Sequence, residues 1–289
     1  MNLPRIVCPP DPGLLQSFVD RTVLVRVPSL GEAAAAAARV GQSGNRLLCV
    51  IVESDSPLAD LDFQEDQKAI PLAVMAPSTG QFRHLARQLD LLRSFNLRVY
   101  LPGHHAENLV GLRILSSVGI YTCAVLGNGS MDWEALADLM TYAVLERVPH
   151  AAIEPFNFIA SRYDPAAYLE WGGIFFDDPK TYLHLDGKGR VALSPAELRK
   201  KQFIAQSIAE IPEPAEFPAI RERLQAWRQY FLDNHPCASC PGWKICLGRF
   251  AGDGLGNQGC AGFFLEMLEV ARQFKNRQTQ AEEFRIWQP

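Results

Sequence analysis

Four cysteines near the C-terminus constrain this chain more than any other feature of its sequence. They follow the spacing Cys-x2-Cys-x5-Cys-x13-Cys, at Cys237, Cys240, Cys246 and Cys260, and are called the cysteine motif below. The residues around them are rich in glycine and include two prolines. These residue types permit the tight turns by which a backbone wraps around a metal centre. We therefore expect one site with four thiolate ligands.

Four thiolates suit structural zinc or an iron–sulfur cluster, and a pair of disulfides is the remaining alternative. A zinc knuckle usually repeats a Cys-x2-Cys pair on both sides, and the second half of this motif has no such pair. The irregular spacing therefore favours a cluster. His235 lies two residues before Cys237 and could replace one ligand, although a lone flanking histidine is more often solvated. Cys49 and Cys123 stand inside apolar runs and are interpreted as small buried residues.

Charge and hydropathy exclude several classes of partner. The net charge of −4 and the pI near 5.9 argue against nucleic acid as an electrostatically attracted ligand. No apolar run reaches the length of a membrane span. The first residues do not combine a basic start with an apolar core, so no signal peptide is predicted. We expect a cytoplasmic protein that binds neither nucleic acid nor membrane.

The first half of the chain alternates apolar, β-branched segments with helical patterns. Continuous apolar strands separated by helices predict a parallel sheet covered on both faces. Six such strands are expected, at 22–27, 47–53, 70–76, 97–101, 120–126 and 151–154. The pattern fits either a partial (β/α)6 barrel or an open doubly wound sheet. The first predicted strand is not followed by Gly-x-Gly-x-x-Gly, which weakens the dinucleotide-binding option.

The cysteine motif resembles the SPASM domain of radical SAM peptide-modifying enzymes. That signature reads Cys-x2-Cys-x5-Cys-x3-Cys with a later cysteine, and CASCPGWKIC matches its spacing and its proline after the second cysteine. The resemblance implies that the cysteine motif binds one auxiliary [4Fe–4S] cluster. Phe250 occupies the x3 position, where the family has the cysteine that crosses to a second cluster. The resemblance therefore implies that the second cluster is missing.

The six predicted strands agree in number with the radical SAM core, which is a (β/α)6 partial barrel. The family places Cys-x3-Cys-x2-Cys after the first strand, to hold the cluster that cleaves S-adenosylmethionine. This chain has 28–32 (PSLGE) followed by alanines there, and 53–56 (ESDS) replaces the family's Gly-Gly-Glu after the second strand. The resemblance is thus to a degenerate core, for which we expect neither binding nor cleavage of S-adenosylmethionine.

The expected fold class is α/β. A TIM-like partial (β/α)6 barrel of radical SAM type should span 1–160, a connecting segment 161–180, and a small SPASM-like iron–sulfur domain 181–289. Within that last domain we expect a β-hairpin of Tyr182–Leu185 and Arg190–Leu193 around Asp-Gly-Lys-Gly. Helices are predicted from Ser194 to about Ser207, over Ala219–Asn234 and over Gly262–Lys275.

Polar residues at the ends of predicted strands are candidates for a second site. His104 and His105 follow the fourth predicted strand, and Glu154 ends the sixth, on the edge where parallel α/β proteins bind ligands. These three residues are called the rim residues below. The two histidines, with Glu107 and Asn108, are candidates for binding a small molecule or a metal, and Glu154 is a candidate remnant of substrate binding. The alternative is that the histidines belong to an ordinary solvated loop and that Glu154 pairs with a nearby arginine. No spacing predicts a catalytic nucleophile.

The expected function is that of a non-catalytic partner. A barrel without its reactive cluster, but with an auxiliary one, resembles pseudo-radical-SAM proteins of peptide-maturation systems. Such a protein binds a precursor peptide or an active radical SAM enzyme, and its cluster is structural or relays electrons. Two alternatives stay open, namely a stand-alone redox carrier or enzyme that uses the barrel rim, and a zinc-stabilised binding protein.

Overall fold

The protein folds into two compact units, each assembled from two separate stretches of the chain. The computed structural model describes residues 3–127, 131–251 and 259–286, with side chains as far as Thr279. Unit 1 comprises Met1–Leu101 and Gly172–Ala226, and unit 2 comprises Pro102–Trp171 and Trp227–Pro289. The sequence predicts three consecutive segments, 1–160, 161–180 and 181–289, whereas each observed unit combines two separate stretches of the chain. The identification of the three segments as barrel, connection and SPASM-like domain stays a prediction.

The strands alternate with helices through the first half of the chain, as predicted. In chain order, the strands of the described residues are β1 (Arg5–Cys8), β2 (Thr22–Val27), β3 (Arg46–Glu53), β4 (Leu72–Met75), β5 (Leu97–Pro102), β6 (Tyr121–Val125), β7 (Ile153–Glu154), β8 (Tyr182–Leu185) and β9 (Val191–Ala192). The α-helices of the same ranges are α1 (Pro12–Gln16), α2 (Ala33–Gln42), α3 (Phe82–Leu92), α4 (Ala106–Ser117), α5 (Trp133–Leu145), α6 (Phe156–Arg162), α7 (Pro195–Arg199), α8 (Pro218–Gln225), α9 (Arg228–Leu232), α10 (Trp243–Cys246) and α11 (Cys260–Ile286).

The sheet of unit 1 has the strand order β5-β4-β3-β2-β1-β8-β9. All its neighbouring pairs are parallel except β8 with β9, and Val25 pairs with both Cys8 and Val50. Strands β1 to β5 lie side by side in chain order, without the reversal that marks a doubly wound sheet. The α/β class with a mainly parallel sheet is therefore confirmed, and the order is compatible with a barrel-like fold.

Branched aliphatic residues form the core of unit 1. Consecutive residues of the central strands are buried, including 23–25 of β2 and 50–52 of β3, as expected for a sheet covered on both faces. The alanine run forms α2, which packs against β2 and β3. Small side chains permit this close approach of helix and sheet, because packed interiors leave few voids.

Unit 2 combines the parallel pair β6 and β7 with a helical group. Cys123 of β6 is in register with Glu154 of β7. Helix α11 packs against both α5 and α6, which also contact each other. Asp132 caps the start of α5, because its carboxylate accepts the Ala135 N–H at 3.0 Å.

The first strand is not the one predicted from the sequence. Arg5–Cys8 precedes Thr22–Val27 and pairs with both β2 and β8, so the short apolar run before the proline-rich 9–13 is a strand. Its four residues are too few to show a periodicity. Because the first strand is Arg5–Cys8, the segment that follows the first strand is 9–21, and it also lacks cysteine.

Three predicted elements of the second half differ from the observed ones. The hairpin is present, but β8 joins the sheet of unit 1 through β1 rather than opening a separate domain. Helix α7 ends at Arg199 instead of about 207, because Ile204 and Ala205 pair with Val191 of β9. The helix expected over 219–234 is broken into α8 and α9, since its first half belongs to unit 1 and its second half to unit 2.

The final helix begins two residues before the predicted Gly262 and continues past 275 to Ile286. None of the helices within 3–127, 131–251 and 259–286 has the length and hydropathy that a bilayer crossing requires.

Candidate metal centre

All seven cysteines are free thiols. Four of them form the cysteine motif, and the other three are Cys8, Cys49 and Cys123. Cys8 and Cys123 are completely buried, whereas Cys49 is partly exposed. Burial raises the pKa of the Cys8 and Cys49 thiols to about 12, so both stay protonated at neutral pH. The prediction of a small buried residue is confirmed for Cys123 and holds only in part for Cys49.

The first two cysteines of the motif lie in a short turn that His235 caps. The Nδ1 atom of His235 accepts the Cys237 N–H at 3.2 Å, at the start of the 3-10 turn Pro236–Ser239. The backbone N–H of Cys240 then donates to the Cys237 carbonyl at 3.2 Å, and the Cys240 carbonyl accepts from Trp243 at 3.0 Å. His235 thus orders the backbone around Cys237, which is a structural role and not that of a solvated side chain.

The third cysteine is followed by a turn that aims backbone N–H groups at its sulfur. Leu247 and Gly248 adopt left-handed conformations, with φ of 52° and 77°. Backbone hydrogen bonds from Phe250, Gly248 and Arg249 lower the pKa of Cys246, although burial outweighs them and raises it to about 11. Successive N–H groups in such a turn form a nest that stabilises negative charge. These N–H groups therefore offset part of the cost that burial imposes on a thiolate at Cys246.

Two glycines are required by the backbone of this segment. A Cβ atom on Gly248 would lie 2.6 Å from Cε2 of Tyr230. A Cβ atom on Gly242 would lie 2.6 Å from the Phe264 Cβ and 3.7 Å from the Cys240 sulfur. The glycine richness noted in the sequence thus has a steric cause at these two positions.

The fourth cysteine is the first residue of α11. The N–H groups of Ala261 and Cys260 donate toward its sulfur and lower its pKa, as expected at a helix N-terminus. Burial and the neighbouring Cys240 act in the opposite direction and leave the pKa of Cys260 raised.

The four thiols of the motif lie close enough for their charges to interact. Burial raises the pKa of Cys237, and Cys260 and Cys240 raise it further. Burial dominates the shift of Cys246 as well, with a contribution from Cys260. Among the described residues, however, no three His, Cys, Asp or Glu side chains are grouped tightly enough to hold one metal ion. The thiols of the motif thus lie in one region of unit 2.

An aromatic shell surrounds the motif. Trp243 is 5% exposed, and its ring centroid lies 5.2–6.4 Å from those of Phe231, Tyr230 and Trp227. Burial raises the pKa of Tyr230, and the charges of Cys237 and Cys246 add to that rise. The Trp243 Nε1–H is buried and has no hydrogen-bond partner among the described residues. A buried donor of this kind usually has an acceptor, and a bound centre would supply one.

Phe250, at the position of the family's crossing cysteine, belongs to the hydrophobic core. It is 4% exposed and lies edge-on to Trp133 at a centroid distance of 5.4 Å, with Phe264 at 5.5 Å. The side chain at this position therefore packs in the core of unit 2 and supplies no ligand.

The segment 165–171 anchors the motif within unit 2. The Trp171 indole N–H donates to the Ile245 carbonyl at 2.7 Å, and the Leu169 N–H donates to the Lys244 carbonyl at 2.9 Å. Lys244 and Arg249, which could have donated to cluster sulfides, instead bind the Pro165 carbonyl and the Glu170 carboxylate. The Arg249 guanidinium also lies over the Trp171 ring, at 4.7 Å from its centroid.

The residues present fit a centre with four thiolate ligands. Four cysteines supply soft donors, backbone N–H groups offset part of the cost of charge on the Cys246 sulfur, and the Trp243 N–H needs an acceptor. The irregular spacing of the cysteine motif favours a cluster over a single zinc ion.

The rim residues are ordered by local contacts. The rings of His104 and His105 lie 4.0 Å apart, both side chains are exposed, and His105 precedes α4. Glu154 accepts the Phe158 N–H at 2.8 Å and so begins α6. No metal-binding group of three such side chains occurs in 3–127, 131–251 or 259–286, so the rim residues do not form one. Their role in binding a small molecule stays a prediction.

Sequence reasoning missed two polar residues in strands of unit 1, Arg26 of β2 and His184 of β8. Arg26 donates to the Leu185 carbonyl at 3.0 Å, and burial lowers its pKa. His184 is fully buried and donates from Nε2 to the Phe176 carbonyl at 2.7 Å, while burial lowers its pKa to about 4. Single polar residues inside the apolar runs TVLVRV and YLHL were the available signal.

Comparisons of the chain with protein-family models, with curated proteins and with solved structures each find no match. The interpretation of the candidate metal centre therefore rests on its residues and their geometry.

Proposed function

We propose that this protein is a non-catalytic iron–sulfur protein with one [4Fe–4S] cluster on the cysteine motif. The observation that carries the proposal is the assembly of four thiols in one part of unit 2, with backbone N–H groups directed at the Cys246 and Cys260 sulfurs. Each thiolate of an iron–sulfur site must carry negative charge, and such N–H groups stabilise it.

A bound cluster would cross-link the loops that ligate it and could carry one electron at a time. The chain's own residues prepare this site. The capped turn at Cys237 and the left-handed turn after Cys246 fix the ligand backbone, and the rings of Trp243 and Tyr230 pack against each other beside it. Because burial raises three of the four thiol pKa values, binding must release protons.

The partner role follows from the resemblance to pseudo-radical-SAM proteins. We propose that the barrel-like part is of degenerate radical SAM type and recognises a precursor peptide or an active radical SAM enzyme. Supporting this, the chain offers only Cys8 at the end of β1 and no cysteine in the loops after β1 and β2. A three-cysteine site for S-adenosylmethionine chemistry has no ligands there.

Zinc is the second candidate for the motif, since it also binds four thiolates. The spacing of the motif, which has no second Cys-x2-Cys pair, favours a cluster over zinc. A stand-alone redox carrier or enzyme is the second candidate for the whole protein, and the rim residues would then serve it. Co-expression with the products of neighbouring genes, followed by affinity purification, separates a partner from a protein that turns over a small molecule alone.

Reconstitution under anaerobic conditions is expected to load about four irons and four sulfides per chain, the composition of a four-thiolate cubane. Iron, acid-labile sulfide and zinc are measured on the same sample. The variant Cys49→Ser, which changes a thiol outside the motif, should load the same amounts. Stoichiometric zinc without labile sulfide would show that the cluster proposal is wrong.

The reconstituted and reduced protein is not expected to produce 5′-deoxyadenosine from S-adenosylmethionine. The loops after β1 and β2 lack the three thiolates that hold the cluster for this cleavage. Chromatography of the reaction mixture measures the product against a cluster-free control. Formation above that control would overturn the interpretation of the fold as degenerate.

A further inference from the structure

Unit 1 contains a surface cavity of about 480 Å³ at the amino ends of its central parallel strands. Its lining includes Arg5 from β1, Arg21 and Thr22 at the start of β2, Arg46 from β3, and Lys180 before β8. This feature is called the basic pocket below. It lies in unit 1, whereas the cysteine motif belongs to unit 2.

The basic pocket concentrates positive charge in a protein that is negative as a whole. Four cationic side chains line it, and Asp20 is the carboxylate among its lining residues. The chain carries a net charge of −4. Like charges gathered in one concave site repel each other, and a bound anion relieves that repulsion.

Two of the four cations are positioned by neutral hydroxyl groups, and their charges are not neutralised by acidic partners. Arg5 donates to the Tyr182 hydroxyl at 3.0 Å, and Arg46 donates to the Thr22 hydroxyl at 2.7 Å. Within the described residues, none of the four cations forms a salt bridge. Neutral hydroxyls position a guanidinium and leave its charge available to a ligand.

The Arg21 side chain has a hydrogen-bond donor that no acceptor in the described part of the chain satisfies. Its Nη1 atom is buried and has no hydrogen-bond partner among the described residues. The backbone at this position is rigid, because the Arg21 N–H donates to Oδ1 of the buried Asn45 at 3.1 Å. Asn45 in turn donates to the carbonyls of Leu15 and Phe18.

Helix α2 ends at Gln42, and the partial negative charge of its last carbonyls stabilises cations nearby. Such a partial charge does not satisfy the Arg21 Nη1–H, which needs an acceptor at hydrogen-bond distance.

We propose that the basic pocket binds the phosphate group of a small anionic ligand, with Arg21 and Arg46 as its main contacts. Guanidinium groups match the geometry of phosphate oxygens and bind them through paired hydrogen bonds. A phosphate group also carries up to two charges, which suits several cations better than a single carboxylate does. The volume lies within the range of small-molecule sites.

Isothermal titration of the full chain with inorganic pyrophosphate tests the proposal, in chloride buffer at constant ionic strength. Wild-type protein should bind pyrophosphate more tightly than citrate, a carboxylate anion of comparable charge. Arg21→Gln and Arg46→Gln should each weaken binding about tenfold, the effect of losing one charge-assisted hydrogen bond. Arg87→Gln, which removes an exposed arginine of α3 outside the pocket, should change affinity by less than about twofold.

Arg46 is exposed, so the Arg46→Gln variant should fold normally. It therefore tests the proposal even if the Arg21→Gln variant fails to fold. No binding at millimolar pyrophosphate would overturn the proposal, and so would equal affinity of wild type and Arg46→Gln. Tighter binding of citrate would overturn the assignment to phosphate.

Discussion

Replacing Cys246 with serine is expected to lower the iron content from about four atoms per chain to almost none. Cys246 is the most buried thiol of the cysteine motif, and backbone N–H groups of 248–250 surround its sulfur. Serine keeps the size and can still accept those hydrogen bonds, but its hydroxyl does not ionise at neutral pH. The change therefore removes one ligand while the turn is left intact.

Loss of the cluster should also loosen the backbone that ligates it, because the ligand loops are ordered by the centre they bind. Trypsin should then cut at Lys244 and Arg249 in Cys246→Ser and spare these bonds in loaded wild type. Mass spectrometry identifies the cuts, and Cys49→Ser serves as the matched control. Full iron content in Cys246→Ser would show that this thiol is not a ligand, and equal protection would exclude a structural role.

The α/β class could be predicted because it depends on local patterns. The apolar strands at 22–27, 46–53 and 97–102 are long enough to show their character, and helical patterns separate them. The short strand Arg5–Cys8 escaped prediction because four residues between prolines carry no such pattern. The partners of β8 could not be predicted either, since parallel pairing with β1 joins residues about 177 positions apart.

Part of the candidate metal centre was visible in the sequence and part was not. The spacing of the cysteine motif indicated a shared site, and glycine indicated tight turns. The sequence did not show that Leu247 adopts a left-handed conformation, or that Gly248 must accommodate Tyr230. Such contacts depend on the packing of side chains that lie far from each other in sequence.

The basic pocket could not be predicted from the sequence either. Arg5, Arg21, Arg46 and Lys180 are far apart in the chain, and each alone is an ordinary surface cation. Parallel pairing of β1 with β2 and β8, and of β2 with β3, aligns the amino ends of these strands. The cluster of charge is therefore a consequence of topology and carries no local sequence signal.

Truncating Trp171 to alanine is expected to destabilise the cysteine-rich part of unit 2 by about 3–5 kcal/mol, the usual cost of removing a large buried ring. Trp171 is 1% exposed, and its indole N–H satisfies the Ile245 carbonyl, one residue before Cys246. Alanine leaves a cavity beneath the Arg249 guanidinium and an unpaired carbonyl beside a proposed ligand. Trp171→Phe keeps most of the ring and should cost about 1–3 kcal/mol, mainly for the lost hydrogen bond.

Hydrogen exchange detected by mass spectrometry measures this effect locally, since the opening free energy of a segment follows from its protection. Amides of 241–250 should exchange faster in Trp171→Ala, whereas those of β3 in unit 1 should not change. Tyr121→Ala removes an aromatic ring of β6 that is 54% exposed and lies outside the segment 165–171, and it should change protection of 241–250 by less than about 1 kcal/mol. Equal effects of the two alanine variants would contradict the role of Trp171 as the anchor of the cysteine motif.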